Sequence, residues 1–372
     1  MANIFDYLSW RGDIGFDYSP FNPVDNIIFC QLSYLPLDGI VGGPEERNWI
    51  TIARAAEIFA ERLRDDTSAQ RQATMFKDDP AFLSALGSSN RFKNCVLRGY
   101  VNQIDVAGEK QFSALSITGL PDECFIAYRG TDANFVSWKE DLNMSFSDAV
   151  PAQLEAVSYL EKMAGKLKGP LLLGGHSKGG NLAVYAASFC DKKIHRRIAG
   201  IYSNDAPGFQ RRVIESEGYQ AVREHIRSFI PQSSVVGMLL EHGAGYSVIK
   251  SSQSGLLQHD LYSWETSYND LVHADRVTQG SLFIDKTLSE WINNLDYDSR
   301  QKFIEALYTI LTATQVQSIP ELTSDWFKAA GRMIQSLGNI DESTKTLIRK
   351  TLAALFQAAR NNINTLLKPQ TE

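Results

Sequence analysis

The sequence predicts an α/β fold, a mainly parallel sheet flanked by helices, with helical additions at both ends of the chain. Three observations carry that expectation. Short β-rich runs begin near Phe92, apolar strands and amphipathic helices then alternate to about Ile284, and a strand meets a helix through Gly175-His176-Ser177-Lys178-Gly179. Alternation of this kind builds a parallel sheet covered on both faces. The chain has 372 residues, more than a typical domain. One elaborated domain accounts for this length as well as two would: an amino-terminal helical segment over 1–90, a core over 91–285 and a carboxy-terminal helical segment over 286–372.

The elements follow in order. From Asn48 to Leu63 the residues Trp49, Ile52, Ala53, Ala56, Phe59, Ala60 and Leu63 fall on one helical face, with Arg54, Glu57, Glu61 and Arg62 opposite. That pattern predicts a surface helix packed on a core. Asp79-Pro80 predicts the start of another helix, since Asp can cap and Pro suits the first turn. Cys95 to Val106, Gln111 to Thr118 and Glu123 to Tyr128 are β-rich runs, separated by Ala107-Gly108-Glu109 and Gly119-Leu120-Pro121-Asp122. They read as consecutive antiparallel strands. A helix over Leu154 to Leu167 and a buried strand over Leu171 to Leu173 come next. The helix after Ser177 has Leu182, Ala183, Ala186 and Phe189 at helical spacing as its buried face. Further strands are expected near Ile198 to Ser203, Ile226 to Ile230 and Gly245 to Ile249.

Beyond Ile284 the pattern is helical again: Ile348, Leu352, Leu355, Ala359, Ile363 and Leu366 recur every three or four residues, with Arg349, Lys350, Gln357 and Arg360 on the far side. Such a helix is expected to pack on the core, with transient contact to a membrane surface as its alternative.

Composition bounds the partners. Hydrophobic residues make up 44% and charged residues 22% of the chain, an ordinary globular balance. Basic residues number 37 against 43 acidic, for a net charge of −6, so no basic field is expected to collect a nucleic acid backbone. Cys30, Cys95, Cys124 and Cys190 are widely spaced and form no Cys-x-x-Cys pair, which predicts buried free thiols, neither a disulfide scaffold nor a zinc site. The start, Met1-Ala2-Asn3-Ile4-Phe5-Asp6-Tyr7, has no basic region followed by an apolar run, and no stretch of about eighteen apolar residues occurs. A cytoplasmic protein without a signal peptide or integral membrane segment is therefore expected. No cofactor or metal is expected either, because no cluster has metal-ligand spacing and no Gly-x-x-x-x-Gly-Lys-Ser/Thr run is present.

Gly175-x-Ser177-x-Gly179 carries the chemistry. A serine hydroxyl is a weak nucleophile unless it is placed where a base can reach it and backbone N–H groups can hold an oxyanion. A sharp strand-to-helix turn does this, and glycines two residues to either side of Ser177 permit the close approach such a turn needs. Lys178 then offers its backbone N–H at the positive end of the following helix. The bland alternative is a glycine-rich turn; the order strand, turn, helix argues against it.

A serine hydrolase also needs an imidazole base and an acid that orients it. His176 lies in the turn itself with its side chain directed away from that of Ser177, His195 sits in a basic loop, and His225 in a polar helix-like run. His242 and His273 stay open. His259 is best placed, on a loop after the last strand candidates, which matches the chain order Ser, acid, His of the α/β-hydrolase fold. Asp205, immediately after a strand at the same sheet edge, is the favoured acid, against the alternative of a turn-forming Asp ahead of Pro207 and Gly208. Asp260 would have to bend back onto its own neighbour, and Glu241 ranks third.

At this point the residues resemble a family. Tyr128-Arg129-Gly130-Thr131, Trp138-Lys139-Glu140-Asp141 and Gly175-His176-Ser177-Lys178-Gly179 together look like the pattern of class 3 lipases. Three blocks, His176-Ser177-Lys178-Gly179-Gly180-Asn181-Leu182-Ala183, Ser234-Val235-Val236-Gly237-Met238-Leu239 and Gln258-His259-Asp260, resemble the bacterial Mbeg1-like proteins over most of residues 1 to about 285. The resemblance implies that Thr131 supplies a second oxyanion N–H beside that of Lys178; the bland alternatives are an ordinary turn at a strand end for Arg129-Gly130-Thr131, and an Asp141 that simply holds that loop or caps a turn. One departure stands out. Secreted lipases carry their acid in an Asp-x-Val-Pro-like segment, and the matching Ser233-Ser234-Val235-Val236 has serine. Either the acid has moved to Asp205 or the triad is incomplete, and the move is favoured. The expected activity is ester hydrolysis through an acyl-enzyme on Ser177, with an acyl ester or lipid as substrate. The alternatives are a non-catalytic lipid- or partner-binding protein and an acyltransferase.

Overall fold

A computed structural model of the chain describes residues 1–47, 49–65, 76–105, 110–131, 149–282, Met144, Lys286 and Thr346. The expected turn over 107–109, the Trp138–Asp141 motif and the helix over 348–366 lie outside the described residues.

Among the described residues eight strands form one sheet in sequential order: β1 (Ile50–Thr51), β2 (Val96–Asp105), β3 (Lys110–Thr118), β4 (Cys124–Tyr128), β5 (Leu171–His176), β6 (Ile198–Asn204), β7 (Ile226–Pro231) and β8 (Ser247–Ile249). Pairings from β1 to β4 are antiparallel and those from β4 to β8 parallel. Parallel neighbours need a crossover connection, and the helices between β4 and β7 supply it. A small second sheet pairs Thr266–Ser267 with Asp270–Leu271. The large sheet, mostly parallel and covered by helices on both faces, is the α/β-hydrolase fold.

Strand side chains alternate between two cores. Ile126, Tyr128, Leu171 and Leu173 face a cluster that also holds Ala156, Leu160 and Met163 of α5 (Pro151–Lys166) and Leu182, Ala183 and Ala186 of α6 (Lys178–Phe189). Phe125, Ala127 and Leu172 face the other, with Ile27, Ile28 and Phe29 of α2 (Pro23–Leu32), Ile4 and Tyr7 of α1 (Ile4–Arg11), and residues of α3 (Ile52–Asp65) and α4 (Asp79–Ser88). Helices of the amino-terminal segment thus form the second covering layer. Burying each such Leu, Ile or Phe is worth about 1.5–3 kcal/mol, which fastens this layer to the sheet.

Local signals start these helices. Asn3 with Asp6 and Asn22 with Asp25 form reciprocal capping boxes on α1 and α2, with Pro23 in the first turn of α2. Asp25 is also buried in an ion pair with Arg91, Nη2 to Oδ2 2.5 Å. That guanidinium donates to the carbonyls of Ile14, Ser19 and Pro20 as well, joining α1, α2 and the chain ahead of β2.

Three local expectations are corrected. Ile50 and Thr51 pair with Leu97 and Val96 at the sheet edge, so the helix begins at Ile52 and not at Asn48. Its buried face carries Ile52, Ala55 and Phe59, while Trp49 and Ala60 are exposed. Asp79 does not cap α4; the cap position is Asp78, and the buried Asp79 carboxylate accepts from Phe76 N, Gln31 Nε2 and Tyr262 Oη. Phe189 ends α6 exposed, outside the helix's buried face.

Candidate active site

Parallel strands present all their carboxyl ends at one sheet edge, where α/β folds bind ligands. Each of the five ends here continues into a residue of interest: Gly130 and Thr131 after β4, Ser177 after β5, Asp205 after β6, Ser234 after β7 and His259 after β8. His195 and His225 precede β6 and β7, which puts them at the opposite edge.

Ser177 has φ 57° and ψ −134°, a conformation with positive φ that a non-glycine residue adopts only when its surroundings enforce it. The enforcement is visible. Ser177 N donates to Asn204 O at 2.9 Å, and a Cβ on Gly175 or Gly179 would strike backbone, of Gly179 and of Tyr128 respectively. The turn is therefore a nucleophile elbow in its geometry. Lys178 is the first residue of α6, so its N–H lies at the positive end of the helix dipole. Its side chain folds inward instead, fully buried, with Nζ donating to Gln111 Oε1 at 2.7 Å and Gln111 O at 3.1 Å.

Gly130 lies directly over the elbow. A Cβ there would meet Tyr34 Oη, His176 O and Ser177 Cβ, so Arg129-Gly130-Thr131 is more than an ordinary turn at a strand end. Thr131, half-buried, follows it on the same loop.

Asp205 also has a positive φ, 45°, and its side chain is 1% exposed. Its carboxylate is held from three sides. Oδ2 lies 2.6 Å from His259 Nδ1, and Oδ1 accepts from Ser234 Oγ at 2.5 Å and Gly237 N at 3.1 Å. Gly237 must be glycine, since a Cβ would sit 2.5 Å from that same Oδ1. His259, at the end of a 3-10 turn over Gly255–His259, is 31% exposed in its side chain. Its ring centroid is 4.3 Å from that of His176, the residue before Ser177. The structure therefore brings Asp205 and His259 into contact beside the elbow. Catalytic hydrogen bonds to a serine hydroxyl commonly tighten only when substrate enters the site.

The other candidates fall elsewhere. His242 Nε2 lies 2.6 Å from Gly237 O behind the Asp205 loop, and burial pushes its pKa down. His273 is half-exposed near Asp270. Glu241 is exposed, its backbone paired with Phe209. Asp260 turns its carboxylate to Tyr262 N at 3.0 Å, capping the next turn, and burial raises its pKa.

Two participants had little sequence signal. Ser234 stood in the sequence within a block of family resemblance, with no sign that its hydroxyl would meet Asp205. Tyr34, 142 residues before His176, touches both His176 and Gly130. Among the described residues no group of three or more His, Cys, Asp or Glu is placed to hold a metal ion, and no helix is long and apolar enough to cross a membrane.

Sheet, elbow and residue order define a protein of the α/β-hydrolase fold. The chain belongs to the Mbeg1-like family, whose sequence pattern matches residues 86–309. That match starts near the first long strand and runs past Ile284, leaving α1 to α3 outside it. No curated protein sequence matches the chain. Among solved structures it is similar to the M37 lipase, at 13% identity and TM-score 0.38 over 59% of this chain and 70% of that one. It is similar to the lipase from Rhizopus microsporus var. chinensis at 12% identity and TM-score 0.33, over 66% and 90% of the two chains. For the native Rhizomucor miehei lipase propeptide complex the values are 15% and 0.30, over 42% of this chain and 57% of that one.

Proposed function

We propose that the protein is a serine ester hydrolase acting on an acyl ester or lipid. The observation that carries this reading is the hydrogen bond of Asp205 Oδ2 to His259 Nδ1 at the edge that bears the Ser177 elbow. In this reading His259 takes the Ser177 proton through Nε2 as the hydroxyl attacks the ester carbonyl. Asp205 fixes the ring orientation and stabilises the imidazolium that forms. The N–H groups of Lys178 and Thr131 hold the oxyanion, and His259 returns the proton to the departing alkoxide. Water then enters by the same route in reverse and releases the acid.

The non-catalytic reading depends on a missing acid, and the Asp205 contact with His259 weighs against it. A cytoplasmic setting fits four buried cysteines, all free. The division at 90 and 285 gives the core all five site residues and the amino-terminal segment a supporting role. A fluorophosphonate probe is the test: we expect one label, on Ser177, lost in a folded Ser177→Ala variant together with hydrolysis of a short p-nitrophenyl ester. A wild-type protein that takes no label, or takes it elsewhere, overturns the assignment.

A further inference from the structure

Tyr34, from the amino-terminal segment, contacts two sides of the site at once. It is 4% exposed, and its hydroxyl lies at the meeting point of three groups. Gly130 N donates to it at 3.1 Å, His176 Nδ1 is 3.0 Å away, and His176 O is 3.2 Å away. The single hydroxyl proton goes to His176 O or to Nδ1 according to the tautomer of that ring; in either case the oxygen accepts from Gly130. Its ring tilts against the His176 ring at 5.7 Å and meets Phe76 edge-on at 6.1 Å, which fixes the phenol from both sides.

Gly130 explains why such a tether is useful. Only glycine fits the close approach to Ser177, yet glycine is the residue least able to hold its own backbone angles. The next N–H, that of Thr131, is the proposed oxyanion donor, so freedom at Gly130 would pass straight into the aim of that donor. An external hydrogen bond to Gly130 N removes the freedom. His176 carries the restraint to the other side of the site, because its ring backs the His259 ring at 4.3 Å. His176 Nε2 is itself buried, and burial holds the pKa of the ring well below the ordinary 6.5.

We propose that Tyr34 is a positioning residue: one hydroxyl fastens the oxyanion loop at Gly130 to His176, and His176 in turn backs the imidazole of His259. This rests on the reading of Ser177 as nucleophile, and the test separates the two. Tyr34→Phe keeps the ring and deletes the hydroxyl. With fluorophosphonate and full-length protein, the maximal labelling rate of Ser177 should fall about tenfold, the size of one lost hydrogen bond, with the concentration for half-maximal rate unchanged. Tyr7→Phe is the control, since it deletes a buried hydroxyl that bonds Asp25 and Asn22 in the α1–α2 contact. Wild-type labelling by Tyr34→Phe, or equal slowing by Tyr7→Phe, overturns the proposal. If the wild type takes no label, the hydrolase reading fails and amide exchange at Gly130 decides. Exchange about tenfold faster in Tyr34→Phe than in wild type supports the tether, and unchanged exchange overturns it.

Discussion

Ser234 Oγ donates to Asp205 Oδ1 at 2.5 Å, from the loop that follows β7. Ser234 follows β7 and Asp205 follows β6, so the hydroxyl reaches the carboxylate from the neighbouring strand end. Asp205→Asn keeps the shape and removes the charge, so kcat should fall by roughly 10⁴. Ser234→Ala leaves the charge and deletes one of the hydrogen bonds that aim it. A hydrogen bond to a charged group is worth about 1.5–3 kcal/mol, so a loss of roughly 10–100-fold is expected. Steady-state kinetics on a p-nitrophenyl ester ranks the two. A larger loss in Ser234→Ala than in Asp205→Asn would remove Asp205 from the role of triad acid.

The histidines give an equally sharp contrast. His259→Ala should cost several orders of magnitude in kcat, because among the described residues it is the imidazole that touches Asp205. His273→Ala, at a half-exposed site beside Asp270, should stay within about twofold of wild type. Parallel kinetics of the two variants, with circular dichroism to confirm folding, would expose a wrong choice of base.

The elbow, the strand order and the meeting of Asp205 with His259 were legible in the sequence because their signals are local or ordinal. Gly175 and Gly179 flank Ser177 within one turn, and the places of Asp205 and His259 follow from counting strands. What the sequence did not show is set by tertiary partners. Ile50 and Thr51 read as the start of a helix, yet the edge of β2 offers them a ladder, and this rotates the buried face of α3 to Ala55. Asp79 has the look of a helix cap, but Gln31 and Tyr262 reach it from distant segments and draw it inside. Tyr34 meets Gly130 across a separation no periodicity can encode.

Stability should depend on the Arg91–Asp25 pair, in which both side chains are 0% exposed. Removing one partner of such a pair leaves a charge without compensation in a dry site, at a cost of about 3–5 kcal/mol. Arg91→Leu should therefore lower the urea midpoint far more than Arg54→Leu, which breaks an exposed pair with Glu57. Equal shifts in urea titrations of the two variants would show that the buried pair contributes no more than a surface one.

Acid should unfold the protein partly through its buried imidazoles. Burial, with the neighbouring His259 as a second cause, holds His176 well below the ordinary 6.5, and burial lowers His242 as well. In the unfolded chain both take a proton near pH 6.5, while in the folded protein they resist it. The unfolded state therefore binds more protons below that pH, and stability, complete above it, declines as the pH falls toward the folded values. Each histidine can contribute a slope of up to about 1.4 kcal/mol per pH unit within that window. Urea unfolding of wild type and of a His176→Asn, His242→Asn double variant, from pH 7.5 down to about 5, measures it. The double variant should be less stable at pH 7.5, because packing is lost, yet show a flatter decline with acid. Parallel curves for the two proteins would assign the acid sensitivity to other groups.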